Sequence, residues 1–94
     1  MVSTFPIPHS VDQSQIRLDI RTLQPQLVTW RRGLHQRPEL GFKEHLTAQF
    51  IAQKLQEWGI EHQTGVAQTG IVATINSGSP GPVMAIRADM DALP

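Results

Sequence analysis

Ninety-four residues bound the chain to one domain at most, near the lower end of the usual domain range. Eight Lys plus Arg balance eight Asp plus Glu, so the net charge is zero and neither nucleic acid nor an anionic membrane has an electrostatic claim on the surface. Cysteine is absent, which excludes a disulfide framework and a thiol nucleophile within these residues, and without Tyr the few aromatics cannot make a base-stacking surface.

Residues 1–15, with Pro6, Pro8, His9 and a polar run through Gln15, hold apolar side chains too sparse for a packed face. They read as a mobile leader, taken here as residues 1–24. The first ten residues carry neither Lys nor Arg and no apolar run, so they are not a secretory signal, and no membrane-length apolar segment follows; the expected location is the cytoplasm. From Ile16 to Leu23 the alternation of Ile16, Leu18 and Ile20 with Arg17, Asp19 and Arg21 fits a strand by period, and equally a lead-in to the next helix. Pro25 suits the first turn of a helix, and Leu27, Trp30, Arg31 and Leu34 follow at helical spacing. This predicts a helix from about Pro25 to about Gln36, stopped by Pro38, with Arg31, Arg32 and Arg37 toward the negative end of its dipole.

A short, partly apolar connection, Pro38-Glu39-Leu40-Gly41-Phe42, leads to a second helix expected to start near Lys43 or Glu44. Leu46, Phe50, Ile51, Leu55 and Trp58 form one apolar stripe along it, and Gly59 stands where a left-handed C-terminal cap is wanted. Burying those side chains is worth on the order of 10 kcal/mol before entropy is subtracted, so the helix needs a partner surface. Residues 60–64 suit a short strand with Gly65 as a turn, and 71–75 are a second β-branched run. The stretch 76–82 is dense turn chemistry, and 83–86 read as a buried strand. The simplest pairing joins 71–75 to 83–86 as an antiparallel hairpin. The fold class expected is α/β, two helices and then a β-hairpin. It is incomplete as given, because a chain ending straight after a core strand leaves no closing helix.

Asp89 and Asp91, two residues apart at the end of the last strand, would point to one side if the extended conformation persists, and Pro94 prevents simple continuation of a central strand. Catalytic groups gather at the carboxyl ends of strands, so two acids there suit a metal or general acid/base chemistry. The plainer alternative has one capping the turn and the other pairing with Arg87. The histidines are His9, His35, His45 and His62. His35 and Glu39 have a ligand-like spacing, but Pro38 breaks the helix between them and no His-Glu-x-x-His pattern exists, so all four read as packing or hydrogen-bonding residues. Gly78-Ser79-Pro80-Gly81 lacks the Lys-Ser/Thr and helix start of a phosphate loop, and Ser77 and Ser79 have no neighbouring base. Met84 and Met90 read as core filler.

Four motifs resemble one family in order and spacing: Trp30-Arg31-Arg32-Gly33-Leu34-His35-Gln36-Arg37-Pro38-Glu39-Leu40; Glu44-x-x-Thr47; Ala67-Gln68-Thr69-Gly70-Ile71-Val72-Ala73; and Ile86-Arg87-Ala88-Asp89-Met90-Asp91-Ala92-Leu93-Pro94. The family is the amidohydrolase branch of the dinuclear-metal peptidases, which includes aminoacylase-like enzymes, hippurate hydrolases and hydrolases of auxin–amino-acid conjugates. The resemblance covers residues 25–94 and makes them the N-terminal part of a mixed-sheet, zinc-peptidase-like catalytic domain. It implies a longer enzyme that cleaves N-acyl-amino acids, small molecules, with a water held by two divalent metal ions (zinc, manganese or cobalt) and a glutamate as general base. An inserted lid domain, not among these residues, would carry homo-oligomer contacts. The family's metal ligands come from a Cys-Gly-His-Asp-x-His segment and later Glu and His residues, none of which lies here, so no metal site and no activity are expected of the 94 residues alone. Asp89 stands where related branches carry a metal-binding His, so ligation is not carried over to it. Asp91 matches the acid that orients a ligand from behind. Arg87, His35 and Glu39 match the motifs in structural roles.

Two rivals remain at this level. Residues 83–91 also fit the strand and Asp-x-Asp of a haloacid-dehalogenase-type phosphohydrolase, with Asp89 as nucleophile and magnesium assisting, though Ala92-Leu93 departs from that pattern. A small non-catalytic binding domain, using the apolar stripe of the second helix, is the other.

Overall fold

The computed structural model describes residues 13–94, so the first half of the expected leader, with Pro6, Pro8 and His9, lies outside the described residues. Contacts divide the chain into two compact units. One takes the chain up to Gly33 together with Gly78–Arg87, and the other takes Leu34–Ser77 together with Ala88–Pro94.

The described part of the first unit is mostly residues 13–33 of helix α1, Gln13–His35, whose last two residues are counted with the second unit; the helix starts well ahead of Pro25 and contains that proline in its interior. The strand alternative for 16–23 does not form, and residues 13–24 are helical. Ile16, Ile20, Leu23, Leu27, Trp30 and Leu34 recur at steps of four and three, one continuous helical stripe that passes through Pro25. Leu18, off that stripe, is what produces the misleading alternation. Pro25 offers no N–H to the carbonyl four residues back, a local loss that the repeated turns on either side outweigh. The Thr29 hydroxyl donates to the Pro25 carbonyl at 3.0 Å. No residue of α1 is buried. The helix stops at His35, and the Arg37 N–H closes its end onto the Leu34 carbonyl at 3.1 Å just before Pro38.

The second unit holds helix α2, His45–Glu57, and a hairpin of β1, Glu61–Val66, with β2, Gly70–Thr74. Helix α2 ends as expected. Gly59 lies at φ 68, its N–H donates to Gln56, and the Ile60 N–H donates to Leu55 at 2.9 Å. That pair of bonds around a left-handed residue is the Schellman termination, open to glycine because it lacks the Cβ that would strike the neighbouring carbonyl.

The hairpin pairs Glu61 with Thr74, His62 with Ala73, Gln63 with Val72 and Val66 with Gly70, antiparallel, with a bulge in β1 between Gln63 and Val66. Fold class thus stands as two helices and then a β-hairpin, but the partner differs from the expected one. Residues 71–74 pair backward with β1, and residues 83–86 form no strand; Val83 is 96% and Ile86 91% exposed. Loop chemistry explains the choice. A three-residue turn, 67–69, with Ala67 at φ 50 and Gln68 at φ 81, closes β1 onto β2, whereas the forward partner lies across a longer loop whose Pro80 and Pro82 donate no backbone hydrogen bond. Helix α2 packs on both strands. Its stripe is only partly covered, with Phe50, Ile51 and Leu55 half-buried while Leu46 and Trp58 remain exposed. Among the described residues no large side chain is fully buried, and no helix is long and apolar enough to cross a membrane.

Candidate functional site

Between the helices the chain makes two consecutive tight turns. The Lys43 N–H donates to the Leu40 carbonyl at 2.9 Å, with Phe42 between them at φ 63, a left-handed conformation that is costly for a bulky side chain. Glu44 follows at φ −82 and ψ 52, an inverse γ-turn closed by the His45 N–H on the Lys43 carbonyl at 2.9 Å. These reversals send the carboxylates of Glu39 and Glu44 to different partners.

Glu39 serves the first turn of α2. Its Oε1 accepts the Thr47 N–H at 2.7 Å and the Thr47 hydroxyl at 2.7 Å, and its Oε2 accepts the Leu46 N–H at 3.0 Å. The residue at the N-cap position itself, Glu44, makes no side-chain cap bond, so an upstream carboxylate satisfies two of the helix's orphan donors and meets the positive end of its dipole. The Thr47 hydroxyl, then the Thr47 and Leu46 N–H groups and the nearby His45, hold the Glu39 carboxyl below its ordinary value against the opposing effect of partial burial.

Glu44 turns the other way and is itself buried. The buried Thr69 hydroxyl, in the hairpin turn, donates to Glu44 Oε1 at 2.7 Å. That bond, followed by the backbone N–H groups of residues 42–44, lowers the Glu44 carboxyl as well. A group whose folded value is depressed stabilises fully above its unfolded value and ceases to do so as pH falls through the folded one. Both carboxylates start from an ordinary value of 4.5, so the stability they contribute is expected to be held down to that pH and lost progressively below. Urea midpoints measured from pH 7 to pH 3 check this. Thr69→Val, which removes the donor to Glu44, should flatten the acid limb, and an acid dependence unchanged by that variant would contradict the assignment.

Asp91 meets the same connection. The Ala92 N–H donates to the Glu39 carbonyl at 2.8 Å, and a Cβ placed on Gly41 would lie 4.0 Å from Asp91 Oδ2. Asp89 and Asp91 are both exposed. Of the other motif residues, His35 is exposed at the end of α1, and Arg87 falls in the first unit, whereas Glu39 and Asp91 belong to the second. Among the described residues no three of His, Cys, Asp and Glu stand where they could hold a metal ion, so these residues alone do not fit a metal centre. Sequence reasoning gave Glu44, Thr47 and Thr69 no role. The helix start is capped from Glu39, eight residues before Thr47, which is outside any local capping pattern, and nothing local points from Glu44 to Thr69, 25 residues away.

No protein-family model matches the chain, and no solved structure does. Curated proteins do match. The chain is 40% identical to an N-acyl-L-amino acid amidohydrolase of Geobacillus stearothermophilus over 87% of its length and 22% of the relative's. It is 42% identical to a hippurate hydrolase of Campylobacter jejuni over 81% of its length and 20% of the relative's. It is 48% identical to IAA-amino acid hydrolase ILR1-like 6 of Arabidopsis thaliana over 78% of its length and 16% of the relative's. The chain therefore spans about a fifth of the length of the curated relatives it matches.

Proposed function

We infer, from the membership of this chain in the family of amidohydrolases that act on N-acyl amino acids, that the whole protein to which it contributes hydrolyses the amide of an N-acyl amino acid. Water adds to the acyl carbon, the carbon–nitrogen bond breaks, and a carboxylic acid and a free amino acid leave. The observation that carries the reading is the density of identity to relatives named for that substrate class, extending over most of these residues. The structural support is the tie from the Ala92 N–H to the Glu39 carbonyl, which fixes the backbone beside Asp91 against a helix start.

In this reading residues 25–94 are the N-terminal part of the catalytic domain, and their contribution is a positioned carboxylate, Asp91, with Asp89 nearby. The metal ions, zinc, manganese or cobalt, belong to residues outside this chain and supply the activation of water. A cytoplasmic location and pairing of subunits through a further domain complete the proposal.

The test is release of amino acid from N-acetyl, N-benzoyl and indole-acetyl amino acids by the full-length protein. Turnover abolished by a chelator and restored by one of those metals is expected. No release from any of these substrates in any of the three metals, or turnover of a phosphate monoester with magnesium in its place, would overturn the reading.

A further inference from the structure

Glu39 uses its side chain and its backbone carbonyl on two different parts of the second unit. It lies in the irregular stretch after α1, where a backbone carbonyl has no secondary structure to hold its direction. Its carboxylate is nevertheless clamped on the first turn of α2 by the Leu46 N–H, the Thr47 N–H and the Thr47 hydroxyl, with distances of 2.7 to 3.0 Å. Charge-assisted bonds to a helix start are among the stronger ones available to a side chain, and three of them leave the residue little rotational freedom. The carbonyl of that same residue accepts the Ala92 N–H at 2.8 Å. Segment 88–94 carries no helix or strand of its own, so this bond gives it a fixed point one residue from Asp91.

We propose that Glu39 is a positioning residue for Asp91: the carboxylate clamp on α2 fixes the Glu39 carbonyl, the carbonyl fixes Ala92, and Ala92 fixes the carboxylate beside it. The consequence for turnover rests on the amide-hydrolysis reading; the coupling itself does not. Helix α2 is thereby more than a support packed on the hairpin. Its N-terminus sets the place of an acidic group that the sequence puts more than thirty residues later.

Two measurements on the full-length protein decide the matter. Amide hydrogen exchange at Ala92 is expected to be slow in the unsubstituted protein and at least about tenfold faster in Glu39→Ala, the loss of one hydrogen bond's worth of protection. The milder Glu39→Gln keeps one oxygen for Thr47 and should fall between. Exchange in β1 and β2 should stay unchanged. Kinetically, kcat for an N-acyl amino acid should fall about tenfold in Glu39→Ala with KM nearly constant, and Glu39→Gln should recover part of it. Thr69→Val serves as the control for a merely structural effect, because it cuts the other carboxylate contact of the unit and should lower the melting temperature without this selective loss of kcat.

Ala92 exchange indifferent to Glu39, or accelerated only in step with the whole domain, would overturn the coupling. Faster Ala92 exchange with an unchanged kcat would overturn the positioning role. An unsubstituted protein without amide-hydrolase activity would refute the functional reading instead, and the exchange measurement would still decide whether Glu39 holds Ala92.

Discussion

Asp91→Asn in the full-length protein is expected to lower kcat/KM for N-acyl amino acid hydrolysis by about 10- to 100-fold while leaving the melting temperature where it was. The two halves of that expectation have separate causes. Asp91 is exposed, so its side chain is not committed to packing, and the amide keeps its shape while removing its charge. The backbone next to it is fixed by the Ala92 N–H on Glu39, which is a use of chain rigidity that an indifferent surface carboxylate would not need. Asp89→Asn is the comparison, with a smaller loss expected because the tie to Glu39 lies on the far side of Asp91. Steady-state kinetics of the two variants, alongside thermal melts, check the point, and full activity in Asp91→Asn would remove this residue from the site.

The largest effect on stability is expected at Gly70. A Cβ built there would lie 2.5 Å from the Val66 carbonyl oxygen, a contact with backbone that no side-chain rotation relieves. Val66 and Gly70 are the pair that closes the hairpin, so Gly70→Ala must displace either the turn or the register. Displacing the turn moves Thr69 and withdraws the hydroxyl from the buried Glu44. Gly70→Ala is therefore expected to cost at least about 2 kcal/mol in a urea unfolding titration. Gly33 provides the opposite sign. It sits inside α1 with nothing within 4 Å of its missing Cβ, and Gly33→Ala should stabilise by about 0.5–1 kcal/mol through helix propensity. Equal effects at the two glycines would contradict the geometry described for the hairpin turn.

Much of the second unit was legible in the sequence because its signals are local. The stripe from Leu46 to Trp58 and the glycine after it specify α2 and its termination within a residue or two. The start of α1 is hidden because Pro25 and the off-stripe Leu18 dominate a short window, whereas the helical period shows only when Ile16 and Leu34 are read together. The partner of 71–74 is not legible locally, because the apolar content of 83–86 suggests a strand while the outcome depends on loop length and on which turn residues accept positive φ. Asp91 and Glu39 could be picked out by resemblance, but the bond that joins their neighbourhoods could not. A contact between a carbonyl and an N–H leaves no mark in side-chain identity.

The hydroxyl–carboxylate bond between Thr69 and Glu44 also bears on when this part of the molecule takes shape. It closes a loop of 25 residues that contains α2, β1 and the turn, so the elements it joins are made one after another and need no later segment to meet. Short closures of this kind cost little chain entropy and form early. On a ribosome, residues 39–74 can assemble as soon as they clear the exit, while the Asp91 segment is still inside the tunnel. The acidic segment then docks onto a helix start that is already in place.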